Sequence, residues 1–496
     1  MQELANMPEI ERWGRFDLLL HGPKDGNPFT DVAIGARFRQ GHRTVEVDGF
    51  YDGEGSYRVR FMPDAVGTWS YETVSNVSEL NLVQGTFKCV EPSAGNHGPV
   101  GVDREVHFAY ADGTPFFPFG TTSYVWNHQS EELQDLTLRS LAEAGAFNKM
   151  RMCVFPKHYD YNLNEPALYP FAGSLEDGWD FTAFNSAYWR HLERRIEDLQ
   201  QLGIEVDLIL FHPYDRWGFA EMSPETDDFY LRYAVARLSA FRNIWWSLAN
   251  EFDLMKAKTM RDWDRFFRII QERDPYSHLR SIHNWHHPRI HYRSNLHWYD
   301  HGKPWVTHAS IQHHDLHFVN EWQETYRKPI VVDECRYEGN LNHGWGNITA
   351  ERMVECFWEG MLNGGYVTHG ETFLHEDNII WWSHGGTLHG ESPSRIQFLR
   401  RIIEAGPQLG RLSADFQWDT AAGGVDGEYY LVYFGSSRPG FRILPLAEGV
   451  ACTIDLIDTW NMTITPLPGT YEGTCRVELP GKPYQALRIQ AINHKA

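Results

Sequence analysis

A (β/α)8 barrel set between two β-sandwiches is the fold class this sequence predicts, and three observations point to it. A central stretch of about three hundred residues alternates strand-like apolar runs with amphipathic helical runs, the rhythm of a (β/α)8 barrel. On either side the helical period is absent and short alternating strands are broken by turn residues. The 496-residue length is too great for one ordinary domain and fits two or three compact units.

Taken in order, "RFDLLLHG", "DVAIGARFRQG", "RTVEVDGFYDG", "GSYRVRFMPDAVGTWSYETVS" and "GTFKCVEP" each carry a strand, with Gly, Asp, Asn or Pro between them. They form a first unit over 1–92, and "PSAGNHGPV" is the linker out of it. The barrel is expected over 93–406. Its strands are "PFFPFGTTSY", "FNKMRMCVFP", "EVDLILFHP", "NIWWSLANE", "LRSIHN", "WVTHASIQ", "PIVVDE" and "GGYVTHGE". Helices such as "NSAYWRHLERRIEDLQQLG" and "TMRDWDRFFRIIQERD" fall between them, several closed by Gly or Asp as C-cap chemistry requires. "ESPSRIQFLRRIIEAGP" is the closing helix. The second sandwich occupies 407–496, where "GEYYLVYFGSS" and "CTIDLIDTWNMTITPLPG" restore the strand pattern.

Composition narrows the function. A formal net charge of −21 argues against nucleic acid and against an anionic membrane surface, both of which need clustered Lys and Arg. The 14% aromatic share, with 19 Trp, suits large cores and also flat platforms for sugar rings. The N-terminus has no basic start or long apolar run, and no segment approaches a membrane span. Six scattered cysteines without C-x-x-C pairing read as reduced thiols, so a cytoplasmic location is expected.

"NIWWSLANEFD" buries two tryptophans and then turns acidic at Asn250, Glu251 and Asp253. In a (β/α)8 barrel the chemistry sits at the C-terminal ends of the strands. Glu251 closes strand four and Glu334, in "PIVVDECRYEG", closes strand seven, on opposite sides of the mouth. Two carboxylates across one cleft are the minimum equipment for glycoside hydrolysis, one donating a proton and the other attacking or assisting at the anomeric carbon. Strict strand alternation would turn Asp333 away from the lumen if Glu334 points in. Asp253 is expected to cap the following segment.

The pattern resembles clan A glycoside hydrolases, whose acid/base is the Glu of an Asn-Glu pair after strand four and whose nucleophile is a Glu after strand seven. Here the matching positions are Asn250-Glu251 and Glu334. More closely, the chain resembles the apiosidase-like barrel families. "WGRFDLLLHGPKDGNPFTDVAIGARF" with "GFYDGEGSYRVRFMPDAVGTWSY" is similar to the leading immunoglobulin-like module found there, and a small β-domain follows the barrel. The resemblance implies retention of anomeric configuration through a covalent glycosyl-enzyme, and an Asn250 that hydrogen-bonds the hydroxyl next to the anomeric carbon. It does not carry the sugar across, since some of these barrels have Asp where this chain has Glu251.

Around the two acids, His212 ends strand three, and Arg151 and Lys157 flank strand two. Tyr124 and Trp126 follow strand one, Trp285 follows strand five, and Glu371 ends strand eight with Trp381 and Trp382 on the loop beyond it. These are the candidates for contact with a carbohydrate. "IHNWHHPRIHY" and "IQHHDLH" are rich in histidine, but there is no His-Glu-x-x-His and no His-x-His after strand one. No metal ligand and no cofactor is assigned. The expected enzyme is an exo-acting glycosidase for small oligosaccharides or glycosides, compatible with self-association through the flanking modules. Two other readings stay open: a metal-dependent hydrolase on the same barrel, and a barrel that binds carbohydrate without cleaving it.

Overall fold

The computed structural model describes residues 7–285, 298–375 and 380–492. At its centre eight parallel strands form one sheet: β1 (Phe119–Thr122), β2 (Lys149–Cys153), β3 (Glu205–Ile209), β4 (Ile244–Ser247), β5 (Arg280–Ser281), β6 (Ala309–Gln312), β7 (Ile330–Glu334) and β8 (Tyr366–His369). Their spatial order is β5-β4-β3-β2-β1-β8-β7-β6, and an isolated parallel bridge between His283 and Ser310 joins β5 to β6. The helices that alternate with them are α1 (Glu131–Ala144), α2 (Ser186–Gln201), α3 (Pro224–Leu238), α4 (Met260–Arg273), α5 (Val319–Tyr326), α6 (Ala350–Leu362) and α7 (Ser392–Glu404). Local chemistry fixes their ends. Ser130 caps α1 through the Leu133 N–H and Gly145 closes it in the left-handed conformation, while Thr259 and Asp262 make a capping box on α4.

Two small antiparallel sheets were not foreseen in the sequence, the hairpin of Phe171–Ser174 with Gly178–Phe184 and one at the base of the barrel. Val100–Asp103, His107–Tyr110 and Pro115–Phe116 make the second, built on the "ADG" turn. It seals the N-terminal mouth of the barrel. The Phe108 ring lies 5.1 Å from Trp245 near the start of β4 and 5.3 Å from Tyr366 at the start of β8. The lumen above this plug is charged. Lys149 on β2 sits between Asp207 at 2.6 Å and Asp333 at 2.7 Å, all fully buried.

Asp333 corrects the expectation from strand alternation. Ile311 pairs with Val332 but Gln312 pairs with Glu334, so Asp333 is the extra residue of a β-bulge. A bulge cancels the alternation locally. Asp333 therefore faces the lumen, bonded to Lys149, Ser310 and Thr368, and Glu334 faces it too, one level higher.

The N-terminal strands form a five-stranded and a three-stranded sheet. Between them Phe38 stacks on Phe61 at 4.1 Å and Phe16 on Phe87 at 4.3 Å. This unit docks on α2 and α3 through buried ion pairs, Arg60 to Glu193 at 2.6 Å and Arg237 to Asp52 at 2.8 Å. The C-terminal six-stranded sheet packs on α6, where Trp358 stacks on Tyr433 at 5.2 Å. No helix among the described residues is long and apolar enough to cross a membrane, and all six cysteines are free.

Candidate active site

Beyond Ser247 the chain continues as Leu248, Ala249 and Asn250, then reverses at Glu251, whose φ of 49° and ψ of 53° are left-handed. A residue with a β-carbon pays roughly 1–2 kcal/mol for that conformation. Neighbouring backbone bonds impose it, from Asn250 N to Phe211 O at 2.9 Å and from Phe252 N to His283 O at 3.0 Å. The reversal leaves the Glu251 side chain 5% exposed in the mouth of the barrel.

Glu334 meets it there. Gln312, ending β6, donates its amide to both carboxylates, at 2.8 Å to Glu334 Oε2 and 3.3 Å to Glu251 Oε1. Each acid has further partners of its own. The Tyr124 hydroxyl donates to Glu334, whose Oε1 also lies 3.5 Å from the Arg151 guanidinium. The Tyr214 hydroxyl donates to Glu251. Asn250 turns its Oδ1 to Arg151 Nη2 at 3.2 Å and to the Tyr124 hydroxyl at 3.1 Å.

The two acids sit in unequal fields. Burial, then the nearby charge of Glu334, pushes the Glu251 carboxyl up to about 7, against the pull of Lys157 and Tyr214. Glu334 lies instead against the permanent charge of Arg151. Lys157 is buried in an aromatic box, its Nζ 3.5 Å from the Tyr124 ring centre and 4.3 Å from that of Tyr214. Desolvation lowers its pKa.

A cavity of about 700 Å³ opens over the two glutamates, within the range of small-molecule sites. Tyr159, Tyr161, Tyr214, Trp285, Tyr337, Trp345 and Trp382 supply its aromatic lining, and Gln312, His313, His314 and Arg336 its polar lining. All its lining residues come from the barrel and its loops; neither flanking sandwich contributes one among the described residues.

Of the residues singled out in the sequence, Glu251, Glu334, Trp285 and Trp382 line this cavity. Asn250, Arg151 and Tyr124 stand directly behind the acids. Four others lie elsewhere. Trp126 is fully buried in the main core. Trp381 donates to Thr121 at 2.9 Å beneath the cavity, and its neighbour Trp382 takes the wall. His212 bonds the Phe155 carbonyl at 3.2 Å, and burial lowers it to about 3, leaving it neutral. Glu371 accepts backbone N–H groups from His389 and Gly390, and burial raises it to about 8. Asp253 accepts from the Trp285 N–H at 2.7 Å. The histidines at 286, 287 and 291 lie outside the described residues.

Sequence reasoning missed Tyr214 and Gln312. Both had a signal: Tyr214 follows β3 in the same "FHPYDRW" that drew attention to His212, and Gln312 is the last residue of a barrel strand.

Residues 103–421 match the family described as Apiosidase-like, catalytic domain. The chain belongs to the apiosidase-like family. It is a glycoside hydrolase with a (β/α)8 barrel. Residues 9–76 and 418–490 match two domains of unknown function, DUF5060 and DUF5605. Across its full length this apiosidase-like chain is similar to the crystal structure of a "putative glycoside hydrolase" from Bacteroides vulgatus ATCC 8482. The two share 42% identity with a TM-score of 0.91, over 98% of this chain and 100% of that one. A family 5 glycoside hydrolase from the same organism aligns over 79% of this chain and 94% of its own, at 15% identity and a TM-score of 0.62. That likeness is one of fold. A comparison with curated proteins found no match.

Proposed function

We propose that the chain is a retaining glycosidase in which Glu251 is the general acid/base and Glu334 the nucleophile. The observation that carries this reading is the Gln312 bridge. The facing carboxylate oxygens can be no further apart than its legs of 2.8 and 3.3 Å laid end to end. That favours the retaining separation of about 5–5.5 Å over the roughly 6.5–9.5 Å that an inverting pair needs to admit water. The unequal fields support the same division of labour. An acid near 7 can give a proton to the leaving oxygen at neutral pH, while the one beside a guanidinium is suited to attack as carboxylate.

In the first step Glu334 attacks the anomeric carbon as Glu251 protonates the leaving oxygen, giving a glycosyl ester and a free aglycone. Glu251, now ionised, then takes a proton from water, which attacks the same carbon and releases the sugar and the Glu334 carboxylate. Asn250, its Oδ1 fixed by Arg151, offers its Nδ2 to the adjacent sugar hydroxyl. The aromatic lining supplies stacking faces for the rings on either side of the bond. A cavity of about 700 Å³ with an aromatic lining suits removal of a terminal residue from a small glycoside. The same reading divides the chain near residues 92 and 406; the family matches run over 9–76, 103–421 and 418–490.

Wild type and Glu334→Gln, assayed side by side on a panel of aryl pyranosides and furanosides, test this reading. Release by wild type alone supports it, and equal release by both overturns the role of Glu334. Within that assay, activity is expected to fall as pH rises through about 7, because Glu251 loses the proton it must donate. Tyr214→Phe removes a hydrogen bond that favours the ionised form of Glu251. The basic limb of kcat/KM should then move up by about one pH unit; a limb that stays or moves down contradicts the assignment.

A further inference from the structure

Beyond the active-site cavity, the loops after β7 and β8 run side by side, and Glu338–Gly339 pairs in parallel with Glu371–Thr372. The pairing brings the Glu338 and Glu371 carboxylates together, 3% and 1% exposed, against the start of α7. Four consecutive amides cap them. Glu371 accepts from His389 N at 2.5 Å and Gly390 N at 2.8 Å, and Glu338 from Glu391 N at 2.8 Å and Ser392 N at 3.2 Å. Each oxygen thus receives one N–H and keeps a second lone pair. Among the described residues no Lys, Arg or His nitrogen lies within the 4.0 Å of an ion pair from either carboxylate.

The third member is His369, at the end of β8 and fully buried. Its Nδ1 lies 3.0 Å from the Thr121 hydroxyl, which also accepts from Trp381 Nε1. Its Nε2 is buried without a hydrogen-bond partner. A ring nitrogen of His369 and one oxygen of each glutamate lie within 4.8 Å of one another. Ligand atoms at bond lengths of about 2.0–2.2 Å around one cation sit roughly 3–4 Å apart, so small side-chain shifts would complete the set.

We propose that Glu338, His369 and Glu371 form a divalent-cation site that fastens the loop after β7 to β8 and to the start of α7. Two carboxylate oxygens and an imidazole are a donor set for zinc or manganese; calcium takes six to eight oxygens. Thr121, bonded to Nδ1, orients the ring so that Nε2 is the ligand. None of the three ligands lines the active-site cavity, but Tyr337, next to Glu338, does. The cation would steady that wall without entering the reaction.

The full chain, stripped with a chelator and dialysed, should be titrated calorimetrically with zinc chloride and, separately, manganese chloride, with melting followed in parallel. One equivalent of at least one metal should bind, and the melting temperature should climb with its concentration. In His369→Gln and Glu371→Gln proteins with native near-ultraviolet dichroism, affinity should drop at least about tenfold. A wild type that binds neither metal at about millimolar concentration overturns the site. Undiminished binding in a folded His369→Gln protein also overturns it, since the metal would then sit elsewhere.

Discussion

Glu334→Gln is expected to lower kcat on any aryl glycoside the enzyme cleaves by about 10⁴-fold or more. The amide is nearly the size of the carboxylate and stays beside Gln312, Tyr124 and Arg151, so the fold should survive. What is lost is the nucleophile, and no neighbour can replace it. Asp333 is the adjacent acid, but it is spent on Lys149, Ser310 and Thr368 one level down. Those contacts, above all the charges of Lys149 and Arg151, hold its carboxyl far below the usual range against the pull of burial. A loss under about tenfold would remove Glu334 from the reaction.

Glu251→Gln separates the two halves of the mechanism. For a poor leaving group that needs a proton, the rate should fall by about 10²–10⁴-fold. A dinitrophenyl leaving group needs no proton, so its departure should survive and the glycosyl-enzyme should accumulate. Added azide should then speed turnover and give a glycosyl azide of the substrate's own anomeric configuration. The same change should alter stability in a pH-dependent way. The carboxyl of Glu251 is raised to about 7 in the folded chain against 4.5 for the free group, so the fold binds its proton more tightly than the unfolded state does. That stabilisation is complete below about pH 4.5 and is lost as pH rises through about 7. Glutamine has no such proton to lose. Above pH 7 Glu251→Gln should therefore be the more stable protein, by on the order of 2–3 kcal/mol, and thermal melts at pH 5 and pH 8 would show it.

Periodicity carried the barrel because each strand is a short run buried on both faces and each helix has a one-sided apolar pattern, and both can be read without their neighbours. Helices α1 to α7 fall where their amphipathic runs place them. The plug over Val100–Phe116 was hidden because its strands are two to four residues long, too short for alternation to register. The acids were legible for a different reason. Position at a strand end identifies residues that reach the mouth, and Glu251 and Glu334 are such residues. What that rule cannot supply is which of two adjacent aromatics turns inward. Trp381 and Trp382 are neighbours, and only the packing of Trp381 onto Thr121 decides that Trp382 takes the wall. Alternation failed at Asp333 because a bulge is set by pairing with β6 and leaves no mark in β7 alone.

The central claim is a covalent intermediate on Glu334, and trapping it is the most direct test. The wild-type chain would be incubated with a panel of dinitrophenyl 2-deoxy-2-fluoroglycosides, which form the glycosyl ester and hydrolyse it slowly. Digestion and mass spectrometry would then locate the label. One sugar per chain on the peptide containing Glu334, absent from Glu334→Gln, is the predicted result. A label on another acid, or release of the inverted anomer from the matching unfluorinated glycoside, would contradict it.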